Sequence, residues 1–259
     1  MLEAISRILG RCGSVASVLP PTELFNEGWM LRLVLDWLDR NRQVEHPLSF
    51  RAGARWYSEA LLPSRFLPKT RGDSRAESFT HADGIIGHFG VASGVRGDAT
   101  LLPDAKQFVV TEAKLGSGLS AGTKNALAYD QAARNVACMA YMLGDKGIDP
   151  SAVDRLAFYV VAPDVQVKSG VFADLVTKES IERKVRERVR SYEGAHDAWF
   201  KSTFLPTLER IELGILSWEA VLAALPKTKE TELMSEFYGQ CLRFNPLRAR
   251  NEMRSNPSI

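Results

Sequence analysis

The spacing of apolar residues changes along this chain, and the change restricts the fold more than any other feature. Apolar residues recur at helical spacing over residues 22–40. Residues 85–111 contain instead short β-prone runs separated by Gly, Pro and Asp. Helical spacing returns over residues 125–143, and residues 156–162 form another apolar run typical of a strand. This alternation of helices and strands predicts an α/β fold.

Two other parts of the chain are predicted to be helical. The apolar residues Trp56, Leu61 and Phe66 suggest a helical stretch that ends before Pro68. Residues 178–244 are interpreted as three helices divided by glycine and proline. The sequence therefore predicts an α/β core followed by a helical C-terminal portion.

The composition is that of an average soluble domain with a single core. The chain has 259 residues, 45% of them hydrophobic and 25% charged, and its net charge is only +2. These values exclude collagen-like and disordered proteins, and the charge neither requires nor excludes a nucleic-acid partner. Three distant cysteines and four histidines without metal-binding spacing indicate neither disulfides nor zinc. With no apolar run near the ~20 residues of a membrane span, we expect a cytoplasmic protein, and a homodimer is compatible with the sequence.

A carboxylate and an ammonium stand two residues apart at the end of the apolar run 107–115. They belong to Glu112 and Lys114, and the period of two puts both side chains on one face of a strand. Such a pair is costly to bury beside apolar residues unless it binds something. An ion pair at a strand edge is the simplest interpretation, but two nearby acids point to a metal site.

The two acids are Asp83 and Asp98, and each opens a β-prone run upstream of Glu112. Asp98 lies 14 residues before Glu112, and in a hairpin turning at residues 104–106 this even separation puts both on one face. Asp83 would instead reach Glu112 from a neighbouring strand. Either aspartate, together with Glu112, could supply the oxygen ligands that Mg²⁺ or Mn²⁺ prefers. The residues alone leave both open.

In this order the residues resemble the PD-(D/E)xK nuclease superfamily, over roughly residues 22–162. Members of that superfamily often carry a Glu in the first helix and a Gln in the helix after Glu-x-Lys, and Glu27 and Gln131 are the matching residues here. The Asp-Gly pair at Asp83 resembles the usual sequence of the superfamily more closely than Asp98 does. The resemblance implies a restriction-endonuclease-like core, a mixed central sheet flanked by helices, with additional C-terminal helices.

The same resemblance divides the chain and assigns it an activity. It implies an N-terminal extension over residues 1–21, a nuclease core over 22–165 and a helical portion over 166–259 packed on the core. The implied activity is metal-dependent hydrolysis of phosphodiester bonds in nucleic acid, with DNA rather than RNA as the expected substrate. The implied roles are metal binding by Glu112 and by Asp83 or Asp98, water activation by Lys114, assistance at the metal by Glu27, and support of the substrate or Lys114 by Gln131.

Two alternatives stay open beside the nuclease. The same fold could serve as a catalytically inactive module for nucleic-acid binding or assembly. Residues 118–122 also fit GxSxG, which would make Ser120 the nucleophile of a serine hydrolase. In the nuclease interpretation Ser120 and Lys124 are instead available to phosphate oxygens. The basic run 178–190 is a further candidate for phosphate contacts.

Overall fold

A computed structural model describes residues 1–68, 70–92, 97–122 and 126–246 of the chain. Its strands are β1 (Arg55–Leu62), β2 (Thr80–Gly87), β3 (Phe89–Val91), β4 (Ala99–Leu101), β5 (Gln107–Ala113), β6 (Arg155–Ala162) and β7 (Glu212–Ser217). Its α-helices are α1 (Leu2–Leu9), α2 (Glu27–Arg40), α3 (Gln131–Asp145), α4 (Asp164–Lys168), α5 (Lys178–Arg190), α6 (Asp197–Trp199), α7 (Leu205–Arg210), α8 (Trp218–Ala223) and α9 (Lys229–Phe244). None of the helices in these ranges is both long and apolar enough to cross a bilayer.

The centre of the molecule is a five-stranded mixed sheet with the strand order β1-β2-β5-β6-β7. Strands β1, β2 and β5 pair antiparallel, while β5, β6 and β7 pair parallel. The parallel pair β5 and β6 is joined through α3, as a parallel connection requires. Strands β3 and β4 form a separate two-stranded sheet.

Helices cover both faces of this sheet, and the alternation of side chains along each strand supplies two apolar cores. On β5, Phe108 and Val110 belong to the core under α3, whereas Val109 and Ala113 belong to the core under α2. Strand β6 is buried almost throughout, as expected for a strand covered on both faces. The predicted α/β class, with a mixed sheet flanked by helices, is therefore confirmed.

Two segments predicted as helix are strands. Residues 55–62 form β1, and residues 212–217 form β7, so the C-terminal portion is not purely helical but completes the sheet. Short apolar runs do not distinguish helix from strand by period, and here pairing with β2 and with β6 decides the outcome. Glycine at position 214 permits the pairing of β7 with β6, because a Cβ there would lie 2.8 Å from the ring of Tyr159 on β6.

The hairpin predicted between residues 99–102 and 108–111 does not form. Strand β4 pairs with β3, and β5 pairs with β2. Glycine at position 84 permits the second pairing under α2, because a Cβ there would meet Thr111 Oγ1 at 2.6 Å and Leu31 Cδ2 at 2.9 Å. The strand that delivers Asp83 therefore lies directly beside the strand that delivers Glu112.

Candidate active site

Three charged side chains meet where β5 ends beside β2. Asp83 Oδ2 accepts a hydrogen bond of 2.8 Å from the backbone N–H of Ala113, which ties β2 to β5 between Glu112 and Lys114. Lys114 Nζ lies 3.4 Å from Glu112 Oε2 and 4.0 Å from Asp83 Oδ2. The structure thus brings the carboxyl groups of Asp83 and Glu112 and the amine of Lys114 into one cluster.

Helix α3 holds the Glu112 carboxylate from the other side. Gln131 Nε2 donates to Glu112 Oε2 at 2.6 Å, and Asn135 Nδ2 donates to Oε1 at 2.7 Å. Residues four apart lie on the same face of a helix, so one face of α3 presents both amides. Asp130 fixes the start of this helix by accepting from the backbone N–H of Ala133 at 3.1 Å. The orientation of Glu112 is therefore determined by two amide donors before any ligand arrives.

Glu112 is fully buried, and this controls its protonation. Burial, and then the neighbouring carboxylate of Asp83, raise the pKa of Glu112 well above its usual range, while Lys114 and Asn135 oppose the rise. Two carboxylates this close cannot both ionise at low cost unless a positive charge lies between them or beside them. Lys114 supplies one such charge, and a bound cation would supply a second.

The donor set suits a hard divalent cation. Asp83 and Glu112 provide oxygen ligands, and Asp83 keeps 24% of its side chain exposed, so ligands from solvent can reach it. Among the described residues no group of three or more His, Cys, Asp or Glu is arranged as a complete metal cage. Mg²⁺ does not need one, because it commonly takes one or two carboxylates and fills its remaining positions with water and substrate phosphate. The two carboxylates therefore fit Mg²⁺ or Mn²⁺ better than a metal that requires a closed protein site.

Asp98 lies elsewhere. Asp98 forms a bridge with Leu61 on β1, at the side of β1 that faces away from β2. Three strand spacings separate Asp98 from β5, roughly 14 Å, so the structure does not bring it to Glu112. Glu27 opens α2 on the side of β1 and β2, where Glu59 lies within electrostatic reach of both Asp83 and Glu27.

Two polar residues at the site were not predicted from the sequence. Asn135 has a signal, since it lies four residues after Gln131 on a predicted helix. Glu59 has none, because its segment is predicted as helix. It lies between Ser58 and Ala60, which pair with Gly84 and Ala82 on either side of Asp83. Its backbone is left-handed, with φ of 55°, and its carboxylate pairs with Arg32 at 3.1 Å. Burial and then the charge of Asp83 raise the pKa of Glu59.

The serine hydrolase geometry is not assembled around Ser120. A nucleophile elbow is a sharp turn between strand and helix, but β5 ends at Ala113 and α3 begins only at Gln131. Ser120 is exposed, and its backbone N–H donates to Gln131 Oε1 at 3.1 Å. His196, the only histidine after Ser120 in the sequence, accepts from Arg65 instead. Ser120 therefore positions Gln131 through its backbone, and Lys124 lies outside the described residues.

The basic helix α5 uses much of its charge inside the protein. Lys184 Nζ lies 2.6 Å from Asp130 Oδ2 in a buried ion pair, and Arg188 is buried among the rings of aromatic residues. Arg186 pairs with Glu182 on the same helix. Of the predicted phosphate contacts on this helix, Arg183 and Arg190 are exposed.

Comparisons with known proteins add no assignment. No protein-family model, no curated protein and no solved structure matches this chain. The case for a function therefore rests on the geometry around Glu112.

Proposed function

We propose that the protein is a nuclease that hydrolyses phosphodiester bonds of nucleic acid with Mg²⁺ or Mn²⁺, with DNA as the expected substrate. One observation carries the proposal: a fully buried Glu112, held by two amides of α3, faces Asp83 from the adjacent strand with Lys114 between them. A purely structural ion pair has no need of a second carboxylate that raises the cost of burying the first.

The arrangement of elements gives further support. The order of a helix, two antiparallel strands, the Glu-x-Lys strand, a second helix and a parallel strand is the order that the PD-(D/E)xK resemblance implies. We therefore assign α2, β1, β2, β5, α3 and β6 to a restriction-endonuclease-like core. Strand β7 extends the sheet beyond β6, and helices α8 and α9 pack beside α2 on the same face of the sheet.

In this mechanism each side chain has a separate task. Asp83 and Glu112 would hold the cation, which when bound neutralises charge on the phosphate and lowers the pKa of a water molecule. Gln131 and Asn135 keep the Glu112 carboxylate in one orientation. Lys114 orients the attacking water, and its ammonium stabilises the charge that develops on the phosphate oxygens. The indole N–H of Trp218 donates to the backbone oxygen of Lys114 at 3.0 Å and so fixes the chain at this point.

The test is cleavage of labelled single- and double-stranded DNA and RNA with Mg²⁺, with Mn²⁺ and with EDTA. We expect cleavage only with metal, and a loss of at least about 100-fold for Glu112→Gln and Lys114→Met, as for other electrostatic groups at a reacting centre. Glu182→Gln is the matched control, because it removes a carboxylate from an exposed ion pair on α5. Full activity of Glu112→Gln or Lys114→Met would refute the assignment.

Cleavage assays together with calorimetry separate the nuclease from an inactive binding module. Such a module would bind nucleic acid without cleaving it, and calorimetry with Mn²⁺ would show no heat that depends on Glu112. A serine-reactive fluorophosphonate should label neither the wild-type protein nor Ser120→Ala.

A further inference from the structure

A polar pocket, separate from the cluster around Glu112, opens between the connection from β1 to β2 and the turn that follows α5. Its volume is about 160 Å³, and its polar lining consists of Arg65, Asp73, Arg75, Tyr192 and His196. A water molecule in the liquid occupies about 30 Å³, so the pocket has room for a polyatomic group. None of these five residues takes part in the cluster around Glu112.

The pocket lies near the same ends of the strands as the candidate active site. Strand β2 runs antiparallel to β5, so the start of β2 lies beside the end of β5, and β1 also ends there. Arg65 and Arg75 follow the end of β1 and precede the start of β2, so they lie beyond the sheet on that side. Phe66 in this connection packs against Tyr129, with ring centroids 5.7 Å apart, and Tyr129 lies two residues before Gln131. A strand of nucleic acid at Glu112 could therefore continue towards the pocket.

Arg65 is oriented in advance by a histidine. Its Nε donates to His196 Nδ1 at 3.2 Å. His196 is buried and packs its ring against Phe66 at 5.4 Å and Tyr192 at 4.7 Å, so it cannot easily turn away. The planar guanidinium is thus held in place by one edge, and such a fork suits the geometry of a phosphate group.

The charge of the lining also favours an anion. Two basic residues, Arg65 and Arg75, line the pocket with one acidic residue, Asp73. The carboxylate of Asp73 accepts from the backbone N–H of Arg75 at 3.0 Å, which stabilises its own turn. The Arg75 guanidinium lies over the Tyr192 ring, 5.3 Å from its centroid, and the aromatic surface restricts its motion.

We propose that this pocket binds a phosphate group of the nucleic acid whose scissile bond lies at Asp83 and Glu112. This inference rests on the proposed nuclease function and adds a contact that would set how the substrate lies. The phosphate could be one of the internal diesters of the strand or a terminal monoester. Both present the same oxygen atoms to Arg65, and the oligonucleotides in the test distinguish them.

The test measures binding in EDTA, where no cleavage occurs. Fluorescence anisotropy compares oligonucleotides of one sequence with a 5′-phosphate, with a 3′-phosphate and with neither. We expect Arg65→Gln to weaken binding about tenfold and to lower the slope of log K against log salt by about 0.7–0.9, the value for one phosphate contact. Arg51→Gln is the matched control, because it removes the same charge at a different place. Arg51 is exposed and lies by the start of β5, at the opposite end of the strands.

A second pair of variants guards against loss of folding in Arg65→Gln. Ala195 lines the pocket but is exposed, so Ala195→Glu places a carboxylate there without removing a contact from the core. We expect it to weaken binding at least as much as Arg65→Gln does. Ala224→Glu, at an exposed position just after α8, should bind like the wild type. Circular dichroism and thermal melting confirm that each variant is folded.

The possible outcomes separate the pocket from the nuclease. A loss confined to one phosphorylated end supports a terminal phosphate, and an equal loss for all three oligonucleotides supports an internal one. If the wild-type protein binds and cleaves but Arg65→Gln and Ala195→Glu bind like their controls, the pocket proposal is overturned and the nuclease stands. If the wild-type protein binds none of the oligonucleotides, the pocket proposal is overturned as well, and cleavage assays decide the nuclease separately.

Discussion

Replacing the central carboxylate should make the metal-free protein more stable while it destroys the activity. When all three groups are ionised, Glu112, Asp83 and Lys114 carry a net charge of −1, and Glu112 is fully buried. Glu112→Gln keeps the shape of the side chain and leaves Lys114 with Asp83 as a neutral pair. If the cluster were only a structural salt bridge, removing one partner should instead destabilise the fold.

The expected gain follows from the contacts of Glu112. Folding raises the pKa of Glu112 from 4.5 to about 8. Each unit costs about 1.4 kcal/mol once the group is ionised, so at pH 8, where the folded group is half ionised, the cost is at most about 4 kcal/mol. Part of this gain is offset by hydrogen bonds that the variant makes less well. Gln131 and Asn135 donate to different oxygens of Glu112, whereas the glutamine side chain of the variant has only one oxygen that can accept. Asn135 Oδ1 is buried without a partner among the described residues, so turning this amide over lets it accept from the new N–H, at the loss of the bond that Nδ2 donates to Gln131 O. After about 1 kcal/mol for imperfect hydrogen bonds, we expect a net gain of about 1–3 kcal/mol at pH 8.

The pH dependence gives this prediction its sign. Because folding raises the pKa of Glu112, the folded wild-type protein keeps a proton that the unfolded chain releases above about pH 4.5. Wild-type stability therefore falls as the pH rises above that value, and Glu112→Gln lacks this fall. Thermal melts in EDTA should show an advantage for the variant of about 2–10 °C at pH 8 that shrinks towards pH 4.5.

Two results would refute this reasoning. One is a Glu112→Gln protein that is less stable than the wild type at pH 8 in EDTA. The other is a stability difference that does not change between pH 5 and pH 8, since a buried carboxylate must contribute in proportion to its ionisation. Glu182→Gln, in an exposed ion pair, should shift stability by less than about 1 kcal/mol at either pH.

Three further predictions concern residues that support the site. Lys184→Met should destabilise the protein by about 3 kcal/mol in urea titrations, because it leaves the Asp130 carboxylate buried without a counter-ion. Gly84→Ala should cost about 1–3 kcal/mol in the same assay, because its Cβ would lie 2.6 Å from a side-chain oxygen of β5. Burial lowers the pKa of His46 to about 4, so stability should fall by up to about 3 kcal/mol as the pH drops from 6.5 to 4. His46→Asn, which keeps an acceptor for the backbone N–H of Leu48, should remove this part of the acid sensitivity in melts at pH 4–7.

Each of these has a matched comparison. Arg186→Met breaks an exposed ion pair on the same helix as Lys184 and should cost less than about 1 kcal/mol. Gly90→Ala places a Cβ where no atom lies within 4 Å, so it should be near neutral. If Arg186→Met costs as much as Lys184→Met, or Gly90→Ala as much as Gly84→Ala, then burial is not the cause. An acid transition unchanged by His46→Asn would show that other groups control it.

Local patterns were sufficient for α2, which buries one continuous face, and for β6, a long apolar run buried on both faces. The helical spacing after residue 22 corresponds to α2, which Asn26 caps, and the run at 156–162 corresponds to β6. The same patterns were insufficient for β1 and β7. An apolar run of six to eight residues has the same composition in either state, and the decision comes from backbone hydrogen bonds to β2 and β6, strands far away in sequence.

The sequence by itself determined that Glu112 and Lys114 share one face and that a glutamine follows them on a helix, because both results depend only on strand and helix periods. Only the tertiary structure decided which aspartate joins them. The even separation of Asp98 from Glu112 has meaning only if the two strands form a hairpin, and β5 pairs instead with β2, which carries Asp83. Strand pairing is a property of the whole sheet, since each strand takes the partner that leaves the fewest backbone groups unpaired and the most apolar surface buried.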